Sequence, residues 1–301
     1  MTAVPWLETR LRVAEQTAAG LADEYAGADV WLVGALAEGL AHQHSDVDLL
    51  LITPGPVVGP GSCLVHGIRI DVRAVSQSTV HDWRTLLDEF TVTRDDIAAF
   101  RAVRASLSDL TLLRTARSLA QTSDQAAVLG PEQRAIYQRW ALADRCEAAA
   151  SLAEDLLGLA QVGLYPHADL VWDRLARVVA QAETVSVGAP LLGEKWLPSL
   201  LSSDDARFTP VPALPEPCWV SAAAHSPFFA SVQVRLADAL LALWPADAEP
   251  ERVDETGLGG FGWLPQRYSD GWFLRRGDAR VPLSDGQMRA WQQAAAQRAR
   301  T

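Results

Sequence analysis

The chain has 301 residues, of which 49% are hydrophobic, and a formal net charge of −11. That length and apolar content allow two domains with real cores, or two and a small appendage. The acidic balance excludes a general nucleic-acid-coating role and leaves room only for a local basic pocket that takes phosphates.

Residues 6–26 read as an amphipathic helix, with Trp6, Leu7, Leu11, Val13, Ala14, Ala18 and Leu21 near 3.6 spacing and Gly27 to close it. Residues 29–33 are a short apolar strand, and Gly34 to about Leu40 a tight turn that opens a short helix. A strand over 46–53 follows, then a Pro/Gly loop over 54–61. Strands near 62–66 and 68–75 are joined at His66-Gly67, a plausible hairpin turn. Residues 78–89 and 94–104 look helical, so the first 110 residues form a strand-rich unit with flanking helices.

From about 108 the pattern turns helical. Residues 131–160 form a long helix with Pro131 suited to its first turn. Residues 167–186 form another, with Leu170, Leu175, Val178, Val179 and Ala182 facing inward. Pro210, Pro212, Pro215 and Pro217 mark 203–217 as a linker, and 226–244 return to helix. The glycine-rich stretch from Gly257 leads into a hairpin and a last helix over about 285–299. The predicted class is α+β: a mixed sheet with flanking helices over 1–110, a helical domain over 111–245, and a hairpin-plus-helix appendage over 246–301. Cys63, Cys146 and Cys218 are odd in number and far apart, which argues against a disulfide framework or zinc knuckle and fits a reducing cytoplasm. No basic-then-apolar leader and no run of about 18 apolar residues is present, so a cytoplasmic chain without a membrane partner is expected.

The chemistry concentrates in Ser45-Asp46-Val47-Asp48, followed by the apolar Leu49-Leu50-Leu51-Ile52. Asp46 and Asp48 stand at i and i+2 on a strand and so share a face. Two like charges there require a cation between them. A third acid, Asp71, lies in the run Ile68-Arg69-Ile70-Asp71-Val72. Three acids on neighbouring strands make a hard-oxygen set suited to Mg²⁺ rather than to zinc.

Gly34-Ala35, Ser45-Asp46-Val47-Asp48 and Asp71, in that order, resemble the nucleotidyltransferase superfamily that includes DNA polymerase beta, the aminoglycoside nucleotidyltransferases and toxin-associated enzymes. The resemblance covers residues 29–75, and overall size and the helical second half look most like the two-domain aminoglycoside type. It implies transfer of a nucleoside monophosphate, AMP from ATP or its counterpart from another NTP, onto a hydroxyl or similar group, with release of pyrophosphate and with two Mg²⁺. Asp46 and Asp48 would hold metal; Asp71 would complete the site or take the acceptor's proton. Gly34, Ala35 and Ser45 would meet the nucleotide, the turn offering backbone N–H groups and a helix N-terminus to phosphate.

The sequence departs from the family at two points. Ala35 replaces the usual Ser, which removes one hydrogen bond to phosphate, and Glu38 stands where many members carry Arg. The resemblance implies a lysine from the helical domain on the triphosphate, and Lys195 is the only lysine in the sequence. Asp144 and Glu147 share a face at i, i+3 on the long helix; the resemblance gives such acids a role as base or acceptor-binding groups, beside the plain reading of a solvated face. His42 and His44 read as solvated loop residues. The expected partners are a nucleoside triphosphate and a small-molecule acceptor, antibiotic or natural product, with no nucleic acid; a homodimer is allowed. Two other readings stay open: a toxin-type enzyme acting on tRNA or protein, and a non-catalytic nucleotide-binding module.

Overall fold

A computed structural model of the chain describes residues 5–122, 129–201, 227–251 and 255–300. It divides into two compact units, one of Met1–Glu89 with Ala102–Tyr137 and one of Phe90–Arg101 with Gln138–Thr301. The expected linker at 203–217 lies outside the described residues. The class is mixed α+β.

The first unit holds a five-stranded sheet. Its strands are β1 (Asp29–Val33), β2 (Val47–Thr53), β3 (Gly61–Val65), β4 (Ile68–Ser76) and β5 (Arg117–Ala120), in the order β3-β4-β2-β1-β5. Only β2 and β4 run parallel. Helix α1 (Pro5–Glu24) buries Val13, Ala14, Ala18 and Leu21 in one cluster with Val30, Leu32, Leu49 and Leu51. Leu50 and Ile52, which alternate with these, are fully buried outside that cluster. Burial on both faces explains the unbroken apolar run after Asp48. Gly27 ends the approach from α1 with φ +76°. His66 and Gly67 both take positive φ, 51° and 76°, the two-residue turn whose twist suits a tight hairpin.

Helix α2 (Gly34–Ala37) is a single turn after β1, and α3 (Gln77–Thr85) starts on a Ser76 cap that accepts from the Thr79 amide. α3 stops short of the expected residue 89 because Leu87 and Asp88 donate three residues back and turn the chain. Helix α4 (Ile97–Thr115) continues well past the expected end at 104: buried Val103, Leu107, Leu110 and Leu113 carry its apolar stripe onward. Strand β5, which follows it, has no apolar alternation and was not expected; it is recruited by pairing with β1.

Helix α5 (Pro131–Gln161) runs from the first unit into the second, as α4 runs the other way along the chain. The second unit continues with α6 (Tyr165–Ser186), a 3₁₀ turn (Glu194–Trp196), α7 (Leu197–Leu201), α8 (Pro227–Leu243) and α9 (Glu255–Leu258). On α6, Leu175, Val178, Val179 and Ala182 are buried as expected, but Leu170 is 68% exposed. It lies about 200° around the helix from both Ala168 and Trp172, which define the inner stripe. Residues 246–301 contain a three-stranded meander, β6 (Leu264–Tyr268), β7 (Gly271–Arg276) and β8 (Ala279–Leu283), rather than a hairpin. Helix α10 (Asp285–Arg298) closes the chain behind a Ser284–Gln287 capping box. This segment falls in the same unit as residues 138–201: Gln266 donates to the Cys146 carbonyl of α5 at 3.0 Å, and Gln292 of α10 to Asp238 of α8 at 2.8 Å. Among the described residues no helix is long and apolar enough to cross a membrane.

Candidate active site

Strand pairing places the acids. Asp48 stands opposite Val33 on β1 and, in the parallel ladder, opposite Asp71 on β4. Two carboxylates thus occupy neighbouring positions at the same level of the sheet. Asp46 precedes β2 and is exposed. The loop that delivers it is closed on itself: the His42 amide donates to Ser45 Oγ and the Ser45 amide to the His42 carbonyl, both at 2.9 Å, and the His44 amide to His42 Nδ1 at 3.1 Å. Buried Arg10 of α1 donates to the Gln43 carbonyl from inside. Ser45, expected at the nucleotide, here serves as the latch of this loop.

Gly34 lies directly against Asp48. It takes φ +72°, and a Cβ built on it would stand 2.9 Å from Asp48 Oδ2. Both the backbone conformation and the space therefore demand glycine. The Gly34 amide, which the turn was expected to offer to phosphate, donates instead to Thr115 Oγ1 at 2.9 Å. The Ala35 carbonyl accepts from the Leu40 amide at 2.9 Å and fixes the end of the turn. Glu38 sits 3.5 Å from the mostly buried Arg114 of α4, so a cation that sequence reading missed faces the negative charge it flagged.

Asp71 is held from two sides. Ser62, its cross-strand neighbour on β3, donates to Asp71 Oδ1, and Arg69 Nε donates to the same oxygen at 3.0 Å. The Ser62 hydroxyl chiefly holds the Asp71 carboxyl below the usual carboxylate range; burial opposes it, and Arg69 lowers it further through its bond and its charge. The Arg69 guanidinium is raised by its bond to Asp71 and by the fields of Asp71, Asp46 and Asp48. Arg69 thus pairs with Asp71 and lies in the field of Asp46 and Asp48. A cavity of about 380 Å³ opens here, lined among others by Val33, Asp48, Ser62, Arg69, Asp71 and Leu112.

Among the described residues, no three His, Cys, Asp or Glu side chains are gathered as a ready metal cluster. The donor chemistry nonetheless fits a hard cation. All the acids offer oxygen, two of them in adjacent register. Asp48 and Asp71, with Asp46 on the loop leading in, are the oxygen donors here that could serve a divalent cation.

The remaining expected residues belong to the second unit. Lys195, in the 3₁₀ turn, is exposed, with its Nζ 5.1 Å from the centre of the buried Trp196 ring. Asp144 is 2% exposed and bonded to Arg145, which also donates to Gln181 of α6 at 2.8 Å. Glu147 accepts from the Tyr268 hydroxyl and from Arg275, and Arg275 also reaches Glu154 at 3.0 Å. These acids do not lie on a solvated face: Glu147 binds α5 to the meander, and Asp144 holds Arg145, which reaches α6.

Of the expected set, the structure brings Gly34, Asp48 and Asp71 together, with Ser45 and Asp46 on the loop leading in. Ser62, Arg69, Arg114 and Thr115 were missed. Only Arg69 left a trace in the sequence, two residues before Asp71 and hence on the same strand face. No curated protein matches the chain. Residues 15–117, about a third of its length, match the family model described as nucleotidyltransferase domain. The match spans the glycine turn, all three acids and α4, and through it this part of the chain is similar to the nucleotidyltransferases.

Proposed function

We propose that the chain is a Mg²⁺-dependent nucleotidyltransferase that moves AMP from ATP onto a hydroxyl of a small-molecule acceptor. The observation that carries this reading is the placement of Asp48, in register with Asp71 on one side and pressed against the Gly34 turn on the other. In the proposed reaction an acceptor oxygen attacks the α-phosphorus. The bond from that phosphorus to the bridging oxygen breaks, and pyrophosphate leaves. Bound Mg²⁺ supplies charge neutralisation on the triphosphate. The chain's own residues do the rest. The closed 42–45 loop and the glycine turn fix Asp46 and Asp48, so that their orientation costs nothing at the moment of reaction. Ser62 and Arg69 keep Asp71 ionised, which suits it to hold a cation and makes it the weaker candidate for taking the acceptor's proton. The cavity beside Asp71 is lined both by apolar residues such as Val33 and Leu112 and by polar Ser62, Arg69 and Asp71, the mixture that suits a small organic acceptor. The overall acidity supports such an acceptor over a nucleic acid.

The test is incubation with each of the four α-labelled nucleoside triphosphates, Mg²⁺ and a panel of hydroxylated small molecules. The reading expects pyrophosphate release matched by label in an acceptor, with ATP preferred, and loss of both in Asp48→Asn. Turnover unchanged in Asp48→Asn refutes the site.

A further inference from the structure

The glycine turn is held by a corner of the fold some 80 residues away in sequence. Helix α4 ends at Arg114 and Thr115, and β5 begins at Arg117. From there β5 pairs antiparallel with β1, with Leu32 opposite Arg117 and Trp31 opposite Ser118. That ladder carries the α4–β5 corner back alongside the β1–α2 corner, and two side chains cross over. Thr115 is 2% exposed; its Oγ1 accepts from the Gly34 amide at 2.9 Å and donates to the Thr111 carbonyl at 3.0 Å. Arg114 Nη1 lies 3.5 Å from Glu38 Oε1, at the far end of the same turn. The two consecutive residues thus hold the start and the end of α2.

The turn needs such a hold. Gly34 is in the left-handed region and so close to Asp48 that a Cβ would meet the carboxylate. Valine 33, its N-cap, supplies no side-chain acceptor. A glycine with no side chain of its own is the least restrained residue in the chain. The β1–β2 ladder, with Val33 opposite Asp48, brings Gly34 to Asp48, and the bond from its amide to the Thr115 hydroxyl holds the turn in place there.

We propose that Thr115 is a positioning residue: its hydroxyl fixes the Gly34 amide and, through the Gly34–Asp48 approach, the geometry in which Asp48 meets nucleotide and metal. Arg114 on Glu38 braces the other end. This inference rests on the nucleotidyl-transfer reading above.

The experiment is calorimetric titration of the full chain with a non-hydrolysable ATP analogue in Mg²⁺, comparing wild type, Thr115→Val, Thr115→Ala and Thr115→Ser. Circular dichroism and melting check each variant. Valine keeps the shape and loses the acceptor; serine keeps the acceptor and loses a buried methyl. A purely packing role therefore ranks serine below valine, and a positioning role ranks it above. The expected result is a dissociation constant raised about tenfold in Thr115→Val, a similar rise in Thr115→Ala, and a value within about twofold of wild type in Thr115→Ser. Alanine removes the hydroxyl without added bulk, so a folding failure of the valine variant leaves alanine to decide. Affinity unchanged without the hydroxyl, or serine as weak as valine, overturns the inference while the nucleotidyl-transfer reading stands. A wild type that binds no analogue in Mg²⁺ strikes that reading instead.

Discussion

Gly34 and Asp48 show how little room the site leaves for substitution. Adding one methyl in Gly34→Ala places a Cβ 2.9 Å from Asp48 Oδ2 on a backbone at φ +72°. The left-handed conformation alone costs about 1–2 kcal/mol for an alanine. The expected outcome is a fall in stability of at least that size by denaturant titration, together with loss of Mg²⁺-dependent nucleotide binding. Ala35→Ser, which restores the family's usual residue one position on, is expected to fold normally and to bind nucleotide as well as or better than wild type. A large loss of affinity in that variant would mean that the space beside Ala35 is needed. Asp71 has a signature in pH. Its carboxyl is held below its ordinary range, chiefly by Ser62 and then by Arg69. A depressed carboxyl adds stability above its unfolded pKa of about 4 and loses it as pH falls through the lower folded value. Wild type is therefore expected to exceed Ser62→Ala in stability at neutral pH. The gap should close as the pH drops below about 4, read by urea denaturation across that window. The adjacency of Asp48 and Asp71 was legible in sequence because a charged residue in an apolar strand has few places to go, whereas Asp46, expected on the same strand, lies on the loop before it. Arg114 and Thr115 were not legible, since nothing local in a helix end announces such distant partners as Glu38 and Gly34.

At the level of elements, the strongly periodic pieces were the readable ones. α1, β1, β2 and the His66-Gly67 hairpin stand where spacing and turn chemistry put them. Two of the failures depended on a tertiary partner. β5 is a four-residue strand made by β1, and α4 outran its expected end by following a core that sequence alone does not display. β8 was obscured by Pro282, which is tolerated because β8 is an edge strand paired only with β7. Leu170 was placed inward by composition although its angle on α6 puts it outside. Ion pairs between elements were likewise invisible. Arg235 of α8 grips Glu183 of α6, with its Nε 2.6 Å from one carboxylate oxygen and Nη2 on the other. Burial pushes the Glu183 carboxyl up while Arg235 opposes it. Arg235→Ala leaves that acid buried without its partner, and a loss of about 3 kcal/mol in denaturant titration is expected. A loss below about 0.5 kcal/mol would class the pair with exposed salt bridges of little net worth.

The whole molecule offers a separate probe in each unit. Cys63 on edge strand β3 is exposed, whereas Cys146 on α5 is fully buried and its thiol is pushed up by that burial. Iodoacetamide is expected to label Cys63 in the native protein and Cys146 only on unfolding, as mapped by peptide mass; native labelling of Cys146 would contradict the packing of the second unit. The central claim is that Asp48 belongs to a metal-dependent nucleotide site, and the most direct measurement is calorimetric titration of the purified chain with a non-hydrolysable ATP analogue, with and without Mg²⁺, repeated on Asp48→Asn. The account predicts binding that requires Mg²⁺ and disappears in the folded Asp48→Asn variant. Binding that is indifferent to Mg²⁺, or that survives the loss of the Asp48 carboxylate, would contradict it.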